Sequence, residues 1–503
     1  MPDPLLIGID LGTTNGKVAC YDLKGQLQAD AFRSYPTQMP SPGCYQQNPQ
    51  DLLDALGQAL QEVTARLGER AQDVSGLAVS NFGPGIVLSD QEGKPLAPCP
   101  TWQDVRALPY GQRLSKQVGL DWIGLGPPLT GFPARLSWML EEAPDLAQSA
   151  ARVSDIKGFL MHWLTGESAT DPSSGPGAPA WWAPVFQHIG WPVEKLPTIF
   201  TATESPGGLR SELARQVGLK PGIPVFTGVN DGAAATLGSG AIHLGDSVIT
   251  LATNGACRLI LSRRLDSETI LGQHLFSWPL VESLWICGGF TCSGAGSLQW
   301  LADLFGLRRD PDVYEALLKQ AAQVPIGSRG VVFLPYLAGR GTPHSNPQQR
   351  GGFIHVGLEH SQAELARAVL EGIALAMREI TLEFARLGLQ VGPIRITGGG
   401  ARSKLWRQII ADVLDRPVQR AGGDSTLGGA LVAAVGLGFF SNFNAAIEAM
   451  VKEEDHHTPQ AANVAAYQRV NEVFTQCRDA LIRLPRYVNH DESDNQEAGS
   501  ERR

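Results

Sequence analysis

The sequence lacks a long apolar run, an excess of basic residues and any CxxC pair of cysteines, and each absence excludes a class of protein. The longest apolar stretch, residues 430–440, is well short of the roughly 20 residues that a membrane-spanning helix requires. Lys and Arg number 41 against 50 Asp and Glu, and the resulting net charge of -9 argues against nucleic-acid binding. We therefore expect neither a membrane nor a nucleic acid among the partners.

The seven cysteines are scattered and show neither a CxxC pair nor the spacing of zinc ligands. The N-terminal residues also lack the basic region, apolar core and cleavage site of a signal peptide. Both observations favour reduced thiols and a cytoplasmic location. The cysteines are Cys20, Cys44, Cys99, Cys257, Cys287, Cys292 and Cys477.

Two common nucleotide-binding loops are missing as well. No GxxxxGK[ST] loop occurs, and no GxGxxG lies between a strand and a helix. If the chain binds ATP, we expect it to do so through hairpins. The stretch that suggests this is "LLIGIDLGTTNGKVACYDLKGQL", residues 5–27, in which an apolar run meets Asp10 and then a Gly-Thr-Thr-Asn-Gly turn.

The apolar pattern predicts strands and helices in the order of an α/β protein. Strands are expected at 5–11, 16–22 and 27–35, and a helix at about 50–67. A similar strand, Thr-Asn-Gly turn and strand recur at 245–263. This internal repeat predicts two α/β units of related design.

A chain of 503 residues is too long for one ordinary core, so two domains are expected. We predict an N-terminal domain over residues 1–240 and a C-terminal domain over residues 241–485, with the ligand in the cleft between them. The polar segment 486–503 is predicted to be disordered.

Asp10 lies where a buried strand meets a glycine-containing turn, with Thr13 and Thr14 behind it. Exposed backbone N–H groups in a tight turn bind anions, and the two hydroxyls add donors. A carboxylate cannot bind phosphate directly, but it can hold Mg²⁺ that bridges to phosphate oxygens. Asp10 is therefore interpreted as the metal-side acid of a phosphate site. The alternative is an ordinary hairpin with an Asx-type turn.

Two further glycine-containing segments suggest nucleotide contacts. The turn Thr253-Asn254-Gly255 repeats the character of the first turn, and this makes an ordinary hairpin a weaker explanation for both. The run Gly398-Gly399-Gly400 follows a predicted strand and precedes a helix with Ser403 as its expected N-cap. Three glycines would let a flat group such as a purine approach the backbone, although a simple strand-to-helix turn is the alternative.

Asp231 ends a predicted strand and begins a helix of small residues in "GVNDGAAATLGSGA". Asp is a good helix N-cap, which is one explanation for its position. The functional interpretation is a general base that accepts the proton of an attacking hydroxyl during phosphoryl transfer. The triplet Trp102, Asp104 and Arg106 combines an aromatic ring with charged groups, as a polyol-binding site does. As a lone triplet, it is more often part of a salt-bridged surface loop.

Taken together, these motifs resemble the FGGY family of carbohydrate kinases, within the actin-like ATPase superfamily. The resemblance covers about residues 5–480. It rests on "IGIDLGTTNGKV", "TWQDVRA", "TGVNDGAAATLGSGA", "LPYLAGRGTPHSNPQQRGG", "ELARAVLEGIALAMRE" and "TGGGARSKLWRQIIAD", in this order. The resemblance implies an α/β fold of two ribonuclease-H-like domains that close over the ligands in the cleft between them.

The resemblance also implies a role for each site residue. Asp10 would lie by Mg²⁺, Asp231 would be the catalytic base that contacts the sugar, and Trp102 and Asp104 would help to hold the sugar. The residues assigned to ATP and its phosphates are Gly12, Thr13, Thr14, Lys17, Thr253, Gly255, Gly399, Gly400 and Ala401.

The expected function is ATP-dependent phosphorylation of a primary hydroxyl of a small sugar. The long C-terminal segment resembles xylulose kinases, which favours a ketopentose such as D-xylulose. In contrast, "TWQDVRA" and "ATNGACR" resemble gluconate kinases, so a sugar acid or polyol is the alternative. An actin-like ATPase, or a regulator that binds sugar and nucleotide, is the alternative of another class. ATP, Mg²⁺ and a sugar are the expected ligands, and a homodimer is left open.

Overall fold

The computed structural model describes residues 3–119, 129–174, 183–307, 311–346 and 348–483. The segment 486–503, predicted to be disordered, lies outside these residues. In the described part of the chain, no helix is long and apolar enough to cross a membrane. All seven cysteines are free thiols, and all but Cys292 are buried.

The strands are β1 (Leu5–Leu11), β2 (Asn15–Asp22), β3 (Leu27–Ser34), β4 (Gln46–Gln47), β5 (Val74–Asn81), β6 (Val87–Ser89), β7 (Cys99–Pro100), β8 (Arg152–Ser154), β9 (Ala169–Thr170), β10 (Thr198–Ile199), β11 (Gly207–Gly208), β12 (Pro224–Phe226), β13 (Ser247–Leu251), β14 (Gly255–Leu261), β15 (Phe276–Pro279), β16 (Trp285–Thr291), β17 (Val332–Leu334), β18 (Gly352–Ile354), β19 (Ile394–Thr397), β20 (Val418–Ala421) and β21 (Glu453–His457). The helices are α1 (Pro49–Leu67), α2 (Leu108–Val118), α3 (Phe132–Glu142), α4 (Pro144–Ser149), α5 (Ile156–Thr165), α6 (Ala183–Ile189), α7 (Ser211–Val217), α8 (Asp231–Gly238), α9 (Ser267–Gly272), α10 (Gly296–Leu304), α11 (Pro311–Ala321), α12 (Gln362–Arg386), α13 (Lys404–Leu414), α14 (Ser425–Gly436), α15 (Phe443–Met450) and α16 (Ala461–Arg483).

The two halves of the chain build sheets of the same design. In the first sheet the strand order is β11-β12-β5-β1-β2-β3, and in the second it is β15-β16-β14-β13-β19-β20-β21. Three neighbouring strands pair antiparallel in each sheet, β1-β2-β3 in the first and β13-β14-β16 in the second, and two further strands on the other side of β1 or β13 run parallel to it. This is the ribonuclease-H-like arrangement, so the predicted fold class is confirmed.

The alternation of side chains along β1 decides which residues reach the core and which reach the ligand side. Leu5, Ile7 and Ile9 belong to the core that also contains residues of α1 and α5. Leu6, on the opposite face, packs in a separate cluster with residues of α8 and α14. Asp10 shares the face of Leu6, and this directs its carboxylate towards the two helices that lie between the halves.

The helices α8 and α14 join the two halves because small residues let them approach closely. A Cβ on Gly428 would lie 1.9 Å from the carbonyl oxygen of Ala234, and one on Gly8 would lie 1.8 Å from that of Thr426. The cluster around these helices contains residues of both sheets, such as Leu6 and Val248. Helix α14 therefore lies between β20 and β21 of the second sheet in the chain but packs on the first sheet, and the predicted boundary at 240/241 stays a prediction.

Candidate active site

Asp10 lies at the end of β1, where both of its carboxylate oxygens accept hydrogen bonds from serines. Ser80 Oγ on the neighbouring strand β5 donates to Oδ1 at 2.6 Å, and Ser425 Oγ at the start of α14 donates to Oδ2 at 2.5 Å. Burial raises the pKa of Asp10, and the two hydroxyl donors oppose the shift. Residues from both halves therefore hold this carboxylate in place.

Three side chains donate hydrogen bonds to the first turn, which follows Asp10. Tyr35 Oη donates to the carbonyl of Gly12, and Gln47 Nε2 donates to that of Thr13 at 2.6 Å. Trp102 Nε1 donates to Thr13 Oγ1 at 3.1 Å. These bonds rigidify the backbone of the turn, as a site that binds phosphate through its main chain requires.

Thr14 and Lys17 belong to the same hairpin but differ in their contacts. Thr14 is exposed, whereas Lys17 Nζ makes an ion pair with Asp424 Oδ2 at 2.5 Å. Asp424 also caps α14 through the backbone N–H of Thr426. Burial works against ionisation of Asp424, but Lys17 and Thr426 together hold the pKa of this carboxyl below its usual range. Lys17 therefore links the first turn to α14 in this structure, and its predicted contact with ATP stays a prediction.

The second turn, Thr253-Asn254-Gly255, connects β13 to β14 as predicted, in the same way that the first turn connects β1 to β2. The chain before α10 supports it: Gly294 N donates to the carbonyl of Thr253 at 2.9 Å, and Ala295 N to that of Ala252 at 2.7 Å. The Thr253 side chain is exposed. The turn is thus held by backbone contacts while the Thr253 hydroxyl remains accessible to a ligand.

The glycine run after β19 combines one constrained position with one open position. Gly398 has φ of +90°, and a Cβ there would lie 2.6 Å from the carbonyl oxygen of Leu251, so only glycine fits. A Cβ on Gly399 would meet no atom within 4 Å, whereas Gly400 packs beside Trp406. The Ala401 methyl belongs to the core. Ser403 caps α13, as the sequence predicts.

Asp231 is the first residue of α8, and Asn230 is its N-cap, so the alternative that Asp231 caps the helix is wrong. Asn230 Oδ1 accepts from the backbone N–H of Ala233 at 2.8 Å, so the cap does not use the Asp231 carboxylate, whose Oδ1 accepts from the backbone N–H of Gly232 at 2.7 Å. Burial raises the pKa of Asp231 to about 6, and the negative charge of Asp10 adds to the shift. Arg258, from the second sheet, opposes it. The carboxylate is therefore poised near neutral pH, as a general base must be.

A buried lysine supports the segment that carries Asp231. Lys157 Nζ, on α5, donates to the carbonyls of Val79, Thr227 and Val229 at 2.8, 2.6 and 3.0 Å. It also forms an ion pair with Asp171 Oδ1 at 3.2 Å. The side chain of Lys157 is fully buried, and these three carbonyls and one carboxylate are its polar partners.

The same network continues from Asp171 to the cap of α8. Asp171 Oδ2 accepts from the Ser173 hydroxyl at 2.5 Å, and Ser173 Oγ accepts from the backbone N–H of Asn230 at 2.8 Å. Lys157 and Asp171 therefore fix the approach to Asp231 through Ser173 and Asn230.

Trp102 and Asp104, the predicted sugar contacts, have different environments. Trp102 is partly exposed and lies beside the first turn through its bond to Thr13. Asp104 is 1 % exposed; its Oδ2 accepts from Arg106 Nη2 at 2.7 Å and from the backbone N–H of Tyr45 at 2.9 Å. Asp104 thus stabilises its own loop here, and its contact with a sugar stays a prediction.

Sequence reasoning missed several residues that the fold brings to this centre: Ser80, Lys157, Arg258, Asp424 and Ser425. Two signals were available. A lysine in the apolar segment "IKGFLMHWLT" is unusual, because buried lysines need partners. The segment "DSTLGGALVAA" also repeats the pattern of "NDGAAATLG", an acid before a helix of small residues.

Two ribonuclease-H-like halves, joined by a pair of small-residue helices with acidic side chains at their starts, define the actin-like class of fold. Residues 5–238 match the N-terminal domain of the FGGY family of carbohydrate kinases, and residues 262–437 match its C-terminal domain. The chain belongs to this family.

Relatives with two different names support this assignment. The xylulose kinase of Escherichia coli (strain K12) is 30% identical, and the alignment covers 95% of this chain and 100% of that protein. The gluconokinase of Bacillus subtilis (strain 168) is 27% identical, with 93% of this chain and 94% of the relative covered. The structure of a gluconate kinase from Lactobacillus acidophilus matches with a TM-score of 0.84 at 22% identity, over 96% of this chain and 99% of that one. The family match and the two named kinases show a sugar kinase and leave its particular sugar unresolved, while the solved structure shows the shared fold.

Proposed function

We propose that the protein transfers the γ-phosphoryl group of ATP to a primary hydroxyl of a small open-chain sugar, with Asp231 as the general base. The observation that carries the proposal is the position of Asp231 at the start of α8, where its buried carboxylate interacts electrostatically with Asp10, the acid that leads into the first hairpin turn. A base must lie beside the hydroxyl that it deprotonates, and the turns supply the phosphate side of the same centre.

The reaction would be an in-line displacement. The sugar oxygen forms a bond to the γ-phosphorus, the bond from that phosphorus to the bridging oxygen breaks, and the hydroxyl proton passes to Asp231. The turn that contains Thr13 and the turn that contains Thr253 would hold the phosphates from opposite halves. Closure of the two halves would exclude water, which otherwise competes with the sugar as acceptor.

Asp10 fits a Mg²⁺ site of the kind that keeps most of its waters. Magnesium in kinases is bound through one or two carboxylates together with substrate phosphates, and it neutralises charge on the phosphoryl oxygens. The described residues hold no cluster of three or more acidic, His or Cys ligands, and a water-rich site requires none. Ser80 and Ser425 would orient the Asp10 carboxylate for this role.

We expect kcat/KM for the sugar to fall as the pH decreases through about 6, because Asp231 accepts a proton only when it is ionised. Above that pH the carboxylate is deprotonated and activity should be constant until another group titrates. The measurement is the pH dependence of kcat/KM for the sugar at saturating Mg-ATP. A profile that lacks this acidic limb would contradict the assigned role.

D-Xylulose, predicted from the sequence, and gluconate are the two leading acceptors, because relatives of similar identity carry both names. The test is ADP release from Mg-ATP with D-xylulose, D-ribulose, L-ribulose, gluconate, glycerol and erythritol. A strong response to one compound is expected. ADP release that is equal with and without sugar would instead favour an ATPase, and binding of ATP without release would favour a regulator. A cytoplasmic location and a homodimer stay predictions.

A further inference from the structure

Two buried donors without partners lie beside Asp231. Within the part of the chain that the structure describes, neither Arg258 Nε nor Trp278 Nε1 has a hydrogen-bond partner. Both nitrogens can donate and neither can accept. Leaving buried donors unpaired is costly, so two of them at one place beside the reacting centre indicate a bound acceptor atom.

The two side chains meet at Gly232, directly after Asp231. A Cβ on Gly232 would lie 3.1 Å from Arg258 Nε and 2.9 Å from Trp278 Cζ2. Glycine at position 232 therefore makes room for a guanidinium and an indole that come from the second sheet. The donors reach the start of α8 from the opposite half of the molecule.

The second sheet holds both donors in fixed orientations. Arg258 Nη1 donates to Thr250 Oγ1 at 2.7 Å on the adjacent strand. The Trp278 ring stacks on Phe276 with centroids 4.1 Å apart. Gly288 of β16 pairs with Arg258 on one side and with Phe276 on the other. Because glycine has no side chain, none lies between Arg258 and Phe276 across β16. The orientation of the donors is built into the sheet before any ligand binds.

Asp231 is not the partner of Arg258 at hydrogen-bond distance. Its Oδ1 accepts from the backbone N–H of Gly232 at 2.7 Å, and no ion pair within 4.0 Å joins Arg258 to any acid in the described residues. The guanidinium thus keeps both a positive charge and an unused donor. A carboxylate is the group that satisfies both, because it accepts bonds from Arg more strongly than a neutral oxygen does.

We propose that Arg258 and Trp278 bind a carboxylate of the acceptor, and that the protein therefore prefers an open-chain sugar acid to a neutral sugar. This inference rests on the proposed kinase function and names the substrate class of the same site. Arg258 and Trp278 act as specificity-determining residues, while Asp231 remains the base.

The test compares D-gluconate with D-glucitol, in which a CH₂OH group replaces the carboxylate, and with D-xylulose. Calorimetric binding and kcat/KM are measured for the wild type, Arg258→Met and Trp278→Phe. Methionine keeps much of the length of arginine without its charge, and phenylalanine keeps the stacked ring without its N–H. Arg263→Met, at an exposed position just beyond β14, is the matched control.

We expect gluconate to bind about tenfold or more tightly than glucitol. Arg258→Met should remove most of that difference, Trp278→Phe should reduce it, and ATP affinity and the thermal midpoint should stay at the values of Arg263→Met. Tighter binding of D-xylulose or glucitol than of gluconate would overturn the inference, and so would equal losses of binding affinity for gluconate and D-xylulose in Arg258→Met. ADP release with none of the sugars would refute the kinase function separately, since the binding comparison still decides the carboxylate site.

Discussion

Asp231→Asn is expected to lower sugar-dependent ADP release by about 10²–10⁴-fold, the range that a general base contributes. The amide has the shape of the carboxylate but cannot accept the proton of the attacking hydroxyl. The two hairpin turns and the cap of α8 do not depend on the charge of Asp231, since Asn230 supplies the cap. ATP binding should therefore stay close to the wild-type value. The measurements are kcat by coupled ADP release and ATP affinity by calorimetry.

Asp145→Asn is the matched control for this prediction, because Asp145 is also an acid in the first turn of a helix, α4, but its side chain is exposed. Its activity should equal that of the wild type. If Asp231→Asn retained full activity, Asp231 could not be the base. If it lost ATP binding to the same extent as activity, its role would be structural.

Lys157→Met is expected to reduce the free energy of unfolding by about 3–5 kcal/mol, which is the cost of removing one partner of a buried ion pair. The change leaves Asp171 with an uncompensated charge and removes the donor shared by Val79, Thr227 and Val229. Burial lowers the pKa of Lys157 and the neighbouring carboxylates of Asp171 and Asp155 oppose the shift. The loss can be measured by denaturant unfolding.

Lys94→Met is the control, since Lys94 is exposed and a surface substitution of this kind changes stability by about 0.5 kcal/mol or less. Because Lys157 acts on Asp231 through Ser173 and Asn230, the folded fraction of Lys157→Met should also show a lower kcat with little change in KM for ATP. Lys157→Arg should restore part of both properties. Equal stability of Lys157→Met and Lys94→Met would show that the network carries no net stabilisation.

Local patterns were sufficient for the parts of the site that depend on neighbouring residues. The strands predicted at 5–11 and 16–22 were observed as β1 and β2, and the second hairpin was observed as β13 and β14. Turn residues and period-two alternation determine such hairpins over short distances in the chain. The Ser403 cap was predicted for the same reason.

The N-cap of α8 could not be assigned from the local sequence alone. Asn230 and Asp231 are both good N-cap residues, and the sequence does not say which of them the helix uses. In the structure Asn230 is the cap, because its Oδ1 accepts from the backbone N–H of Ala233, and Ser173 Oγ in turn accepts from the backbone N–H of Asn230. The cap of α8 therefore does not use the carboxylate of Asp231.

By itself, the sequence determined the two related α/β units and the glycine-containing turns, because both follow from periodicity and turn chemistry. Only the tertiary structure decided the partners of those residues. Ser425 is 415 positions away from Asp10, and Asp424 is 407 positions from Lys17. Such contacts exist because glycines let α8 and α14 cross closely on the first sheet, which brings acids and a guanidinium from opposite halves to one centre. That packing depends on the complementary surfaces of distant elements, which no local pattern records.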